Sequence, residues 1–178
     1  MAVILAVVWL LQAPGAARVR EIAYARAPLA ERIAADAVLV AAVSAKNASG
    51  ETADDVQRKD REWMANPKAP LRAELTRGAC ADRLRTLVKE DAFVVEAFLA
   101  DAQGALVCAT RETSDYWQGD ETKWQKTYGE DKRLFIDEPA QDTSTGVYAI
   151  QLSTLVSSGS RKAGTLTMTL KIPASALH

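Results

Sequence analysis

Histidine is almost absent from this 178-residue chain: the single one is His178, the last residue. A histidine-based triad or general base is therefore excluded from any reading of the chain. Cysteine is scarce too, and Cys80 and Cys108 do not form a C-x-x-C pair, so redox and zinc motifs are missing. No glycine-rich phosphate loop of either common type occurs. The net charge of −1 supplies no general field for nucleic acid or an anionic membrane. Arg72, Arg77, Arg83, Arg85 and Lys89 alternate with Glu74, Asp82 and Glu90, which reads as a solvated helix face rather than a nucleic-acid patch. Apolar runs of membrane-spanning length are lacking, because the longest, residues 2–11, is too short.

That short run has its own meaning. It precedes Ala13-Pro-Gly-Ala-Ala17, and an apolar stretch before small residues is the pattern of a secretory signal, with cleavage near Ala17/Arg18. No positive residue precedes the run, so residues 1–17 read as a signal peptide or a truncated signal anchor, with a buried N-terminal helix as the alternative. Export to the periplasm or outside the cell is the expectation. In that setting Cys80 and Cys108 can pair in a disulfide, or can stay as two buried thiols.

The remaining 18–178 is long enough for one domain with a real core. Ile22, Leu29, Ile33, Val40 and Val43 recur at helical spacing, predicting one long amphipathic helix over 20–46 with a kink near Pro28. Thr52-x-x-Asp55 resembles a capping box and opens a polar helix through Trp63. Short helices follow within the helical part 52–90. Periodicity then changes over 92–172. Residues 92–100 and 105–110 read as a hairpin around Asp101-Ala-Gln-Gly104, 134–136 as a short strand and 147–156 as a long one. In 164–172, Leu166, Met168, Leu170 and Ile172 alternate with Thr165, Thr167, Thr169 and Lys171. Helices first and an antiparallel sheet of about five strands afterwards define an α+β fold.

Between the strands lies a polar, aromatic insert, 110–124, in which Asp120 can cap a helix through Trp124 to Tyr128, closed by Gly129. Tyr116, Trp117 and Trp124 beside Asp115, Asp120 and Glu121 have the composition of a small-molecule pocket wall, and a tryptophan face suits a cationic ligand. Packing of the two tryptophans onto the sheet is the alternative. Thr110 and Arg111 end the second strand, where Arg111 is suited to a carboxylate. Tyr148 is the favoured pocket residue of the long strand. Asp142 either meets a ligand amine or caps its own turn. Asn47-Ala-Ser49 matches a glycosylation acceptor formally.

The run 99–110, with Asp101, Gly104 and Thr110, resembles the single-Cache (PDC, PAS-like) family of extracellular sensor domains. Thr113-Ser-Asp-Tyr116, Gly119-Asp-Glu121 and Trp124 are similar to that family's loop–helix insert. Asp142-x-Ser144 with Tyr148 and Gln151 resembles the lead into its fourth strand, and Gly164-Thr-Leu its closing strand. The Arg-x-Trp-Tyr helix pattern of amino-acid-binding members is not found. The resemblance implies a PAS-like sheet and recognition of a small organic acid, amine or amino acid without catalysis, metal or cofactor. It implies a homodimer or a membrane-bound signalling partner, and no nucleic acid. The candidate ligand contacts are Thr110, Arg111, Asp115, Tyr116, Trp117, Trp124, Asp142 and Tyr148. The competing expectation is a structural or interaction domain that docks or dimerises through the long N-terminal helix.

Overall fold

The computed structural model describes residues 15–177, and the apolar run 2–11 and His178 lie outside them. The expected single helix over 20–46 is instead three: α1 (Ala16–Tyr24), α2 (Ala27–Ala34) and α3 (Ala37–Asn47). Two local causes account for the breaks. Pro28 lacks an N–H and its ring crowds the carbonyl four residues back, which is that of Tyr24, the last residue of α1. Asp36 is extended (φ −64°, ψ 128°) and its carboxylate accepts the amides of Val38 and Leu39, starting a new helix. Arg83 holds the other oxygen of Asp36 at 2.6 Å.

The capping box at Thr52 and Asp55 is formed and starts α4 (Ala53–Ala65). Next come α5 (Pro70–Arg77) and α6 (Ala79–Val88). Strands β1 (Val94–Ala100) and β2 (Leu106–Ala109) make the expected hairpin, in which the Asp101 carboxylate accepts the amides of Gln103 and Ala105 at 2.8 and 2.9 Å. Gly104 closes that turn at φ +81°, a conformation that glycine adopts without strain. A disulfide joins Cys80 on α6 to Cys108 on β2, with Cα atoms 6.0 Å apart.

The insert carries a short helix α7 (Thr122–Trp124) that runs into a π-helical turn, Gln125–Gly129. Its N-cap is Glu121 rather than Asp120, and no side chain caps it. The chain then forms β3 (Leu134–Ile136), β4 (Ala140–Asp142), β5 (Val147–Ser158) and β6 (Arg161–Pro173). The sheet runs β2-β1-β6-β5-β3, every pairing antiparallel. β3 and β4 pair with successive lengths of β5. β4 is not expected from sequence: it is three exposed residues with no apolar alternation.

One face of the sheet is the main core. Leu99, Leu152, Leu166 and Met168 meet Ile33, Leu39, Val43 and Leu84 of the helices, all 0% exposed. A second cluster joins Val19 and Ile22 of α1 to Ile150, Leu170 and Ile172. On the opposite face, α4 places Val56 and Trp63 against Phe98, Leu106, Ala109 and Tyr116. Asn47 spends its side-chain amide on this framework, donating to the Ala163 carbonyl at 2.8 Å and accepting from Ala102 at 3.0 Å. Among the described residues no helix is long and apolar enough to cross a membrane.

Candidate functional site

Alternation along β6 gives one apolar and one polar face, and the polar one is not on the surface. Thr165 and Thr167 are 1% exposed and Ser153 on β5 is 0% exposed. Register aligns these residues into rungs across three strands: Glu96–Thr169–Gln151, Phe98–Thr167–Ser153 and Ala100–Thr165–Leu155. Side chains in register share a face. The Ser153 and Thr167 hydroxyls lie 2.8 Å apart. Gln151 donates to Thr169 at 3.1 Å, and Thr169 donates to the Glu96 carboxylate at 3.3 Å. Burial pushes the Glu96 carboxyl above its ordinary value, against the opposing pull of Thr169 and the positive charges of Arg111 and Lys123.

The cover over this ladder is the helical part of the insert, which lies on β5 and β6. Its buried underside carries Lys123 and Thr127, four residues apart and so on one side of a helical turn. The Lys123 side chain is 10% exposed, with its ammonium 5.7 Å from the Phe98 ring centre and 3.5 Å from the Glu121 carboxylate. The Thr127 hydroxyl is fully buried with no hydrogen-bond partner among the described residues. Side chains from the sheet and the insert thus bring a half-buried carboxylate, a buried ammonium and several buried hydroxyls to one face. Such groups bind polar molecules well, because each unmet donor or acceptor is costly when buried.

The first half of the insert has another anchor. The buried Asp60 carboxylate on α4 accepts the amides of Tyr116 and Trp117 at 3.0 and 2.9 Å. The Trp63 indole donates to the Thr113 carbonyl at 3.1 Å. The Tyr116 hydroxyl receives a bond from Lys46 at 2.7 Å and donates to Glu51 at 3.0 Å. Burial, then the Glu51 charge, pushes the Tyr116 phenol far above its ordinary range. Burial raises the Glu51 carboxyl, but the hydrogen bonds from Lys46 and Lys59 outweigh it and the net direction is down.

The residues expected from sequence to share one pocket are dispersed. Tyr116 is fully buried against α4, tilted toward Trp63. Trp117 is half-buried, donates to the Gln103 carbonyl at 2.9 Å and lines a small cavity of about 110 Å³ with Ala53, Val56 and Gln57. Trp124 rides on the cover, donating to the Asp101 carbonyl at 3.2 Å and stacking on Tyr128 at 5.0 Å. Thr110 accepts the Ala97 amide at 2.9 Å, a bond that ties the hairpin together. Arg111 is exposed, and its charge reaches Glu96. Asp115 is bonded within its own loop, to Ser114 and Gln118. Asp142 is exposed and caps its turn through Ser144, which holds its carboxyl down at about 2.

Tyr148 is the clear correction. It packs among Val19, Ile22 and Ala23 on the helical side of the sheet, opposite the insert. Ser153 pairs with Thr167 beneath the cover, so the odd-numbered β5 residues face the insert and the even-numbered Tyr148 cannot. Sequence reasoning passes over Glu96, Lys123, Thr127, Ser153 and Thr167 as site residues, and of Tyr148 and Gln151, which it places on opposite faces of the long strand, it favours the former. Two signals point to them: the threonine alternation of β6, and a glutamate inside an otherwise apolar strand.

No family model matches the chain, and no curated protein matches it. Among solved structures, the extracellular domain of the histidine kinase vpHK1S-Z8 is similar at a TM-score of 0.50 and 7% identity, over 90% of this chain and 55% of that one. The sensor domain of the V. cholerae histidine kinase DctB aligns at a TM-score of 0.47 and 13% identity, over 92% and 54%. The ligand-binding domain of the Pseudomonas aeruginosa PAO1 amino-acid chemoreceptor PctC, solved with GABA, aligns at 0.46 and 14%, over 90% and 58%. The chain spans little more than half the length of each of these structures. The likeness is one of fold, and that fold is α+β and PAS-like.

Proposed function

We propose that a chain with this fold works as an exported sensor module, binding a small polar molecule between the sheet and the insert without chemical conversion. One observation carries the reading: the β1–β6–β5 face under the insert carries Glu96, Ser153, Thr165 and Thr167 beside Phe98, Ala100 and Leu155, and the insert meets it with Lys123 and Thr127. An element that only packed on the sheet would favour apolar groups there, since buried hydroxyls gain little unless fully bonded. Glu96 on the sheet and Lys123 on the cover present opposite charges, which suits a molecule bearing an amine and a carboxylate. The Cys80–Cys108 disulfide supports an oxidising compartment, periplasmic or extracellular. A signal would pass to a membrane-bound partner.

The test is a thermal-shift and calorimetric screen of the chain against small carboxylates, amino acids, amines and purines. A ligand at about 100 times its dissociation constant adds about 2.7 kcal/mol of stability. Lys123→Met and Thr167→Val should abolish the response in proteins that still melt cooperatively. A hit that survives both changes but is lost in Trp117→Ala would place the site against α4 and defeat this reading.

A second reading rests on Tyr24, which is 66% exposed on α1 beside Ala17, Ala25 and Ile136, along a groove of about 460 Å³. Such a surface fits docking or dimerisation through the N-terminal helices. A melting temperature that rises with protein concentration, with no response across the panel, would select it.

A further inference from the structure

The insert is held in two different ways along its length. Residues 113–118 are fixed from beneath by buried groups of α4, above all Asp60, which is 8% exposed. At Gly119 the chain passes through a tight gap: a Cβ there would lie 2.5 Å from the Trp117 indole, and one on Gly104 would lie 2.5 Å from Gly119 itself. Beyond that point the sheet side holds the chain through the Trp124 indole on the Asp101 carbonyl at 3.2 Å and Thr154 on the Arg133 carbonyl at 2.7 Å, and an exposed lysine holds its outer edge. Lys162, at the start of β6, grips this second half. Its ammonium donates to the Tyr128 carbonyl at 2.7 Å, sits 4.7 Å from the centre of the Tyr128 ring and lies 3.6 Å from the Asp131 carboxylate. The Tyr128 carbonyl belongs to the end of a helical turn, where acceptors lack partners within the helix, so a lysine donor is well placed. Farther on, Arg133 reaches Glu31 of α2 at 2.9 Å with its side chain 80% exposed. Gly129 is exposed, and a Cβ added there would meet nothing within 4 Å.

We propose that residues 120–133 form a lid that moves as a unit beyond Gly119, and that Lys162 is its latch. With the lid raised, Lys123 and Thr127 leave the sheet and the Ser153–Thr167 pair meets solvent. With Lys162 engaged, one side chain neutralises Asp131, satisfies the Tyr128 carbonyl and covers the Tyr128 ring. The lid serves recognition only where the ligand lies beneath it, as proposed above, but the latch itself is measurable with no ligand at all.

The experiment is amide hydrogen exchange by mass spectrometry on the full chain, comparing wild type, Lys162→Ala and Lys162→Arg. Lys162 is part-exposed, so both variants should fold. In Lys162→Ala, exchange over 122–132 should quicken by about five- to tenfold, the scale expected when a surface element gives up one hydrogen bond and one cation–π interaction. The 113–118 segment should stay within about twofold of wild type, and Lys162→Arg should restore most of the protection, since it keeps the charge and the donor. Raising NaCl from about 0.05 to 1 M should loosen the same segment in wild type. Unchanged exchange over 122–132 in Lys162→Ala overturns the latch, and equal quickening of 113–118 overturns the division of the insert. A latch that behaves as expected in a protein that answers no ligand would remove the sensor reading and leave the lid.

Discussion

Asp60 offers the sharpest test of how the insert is placed. Its carboxylate is buried on α4, and one oxygen accepts the amides of both Tyr116 and Trp117. Replacing it by alanine leaves two amides without an acceptor, that of Tyr116 inside a fully buried residue. Hydrogen bonds to a charged group contribute about 1.5–3 kcal/mol each, so losing both in Asp60→Ala should cost about 3–6 kcal/mol. Set against the roughly 5–15 kcal/mol of an ordinary domain, that is a large share of total stability. Asp60→Asn keeps an oxygen acceptor and loses only the charge, and should cost about 1–2 kcal/mol. Urea denaturation followed by tryptophan fluorescence measures both, and hydrogen exchange at the 116 and 117 amides locates the effect. A loss under about 1 kcal/mol for Asp60→Ala, or unaltered exchange at those amides, would show that the insert is held by something else and refute the reasoning.

Two further outcomes are expected. Removing the Cys80–Cys108 disulfide by Cys80→Ser with Cys108→Ser frees a loop with a sequence separation of 28 and should lower stability by about 3.5 kcal/mol on chain-entropy grounds; denaturation midpoints with and without reductant measure it. Glu96 has a folded-state pKa raised by burial, so the folded state binds the extra proton and stability falls as pH rises from the ordinary 4.5 through the raised value. Glu96→Gln should remove that decline from the melting temperature–pH profile, and an unchanged profile would show that the Glu96 carboxylate is not desolvated under the insert.

Much of the fold is legible because its signals are local. The Thr52–Asp55 reciprocal cap, the Asp101 turn with Gly104 and the strict alternation of β6 each depend on a few adjacent residues. The breaks in the N-terminal helix are half legible: Pro28 marks the first, but the second, where Asp36 caps α3 through the amides of Val38 and Leu39, falls within an apolar pattern that keeps its helical spacing. The site is less legible for a geometric reason. Alternation separates a strand into two faces without saying which one another element will cover. From sequence alone Thr165 and Thr167 read only as the polar face of β6, and it is the structure that lays the insert on them. The aromatic residues draw attention to the insert, yet Tyr116 and Trp117 turn toward α4, where Trp63 and Asp60 hold them, while Trp124 belongs to the separate part lying on the sheet.

The central strands also offer a route by which occupancy of the proposed site would reach the rest of the molecule. β5 and β6 carry polar residues toward the insert on one face, and Ile150, Leu152, Met168 and Leu170 toward α1, α2 and α3 on the other. Nothing lies between the ladder and the helical core except the thickness of a single sheet. A close-packed core resists gradual deformation, so a shift in these strands is felt by the helices directly. A ligand can exploit that only by binding one arrangement better than the other. Lys123 and Thr127 make such a difference available, because their polar atoms meet the sheet when the lid is down and water when it is raised. Exchange protection in α2 and α3 should then change with ligand in wild type and stay constant in Lys123→Met. Protection that changes equally in both proteins would mean the signal bypasses the lid, and the coupling would have to be sought on the helical face of the sheet.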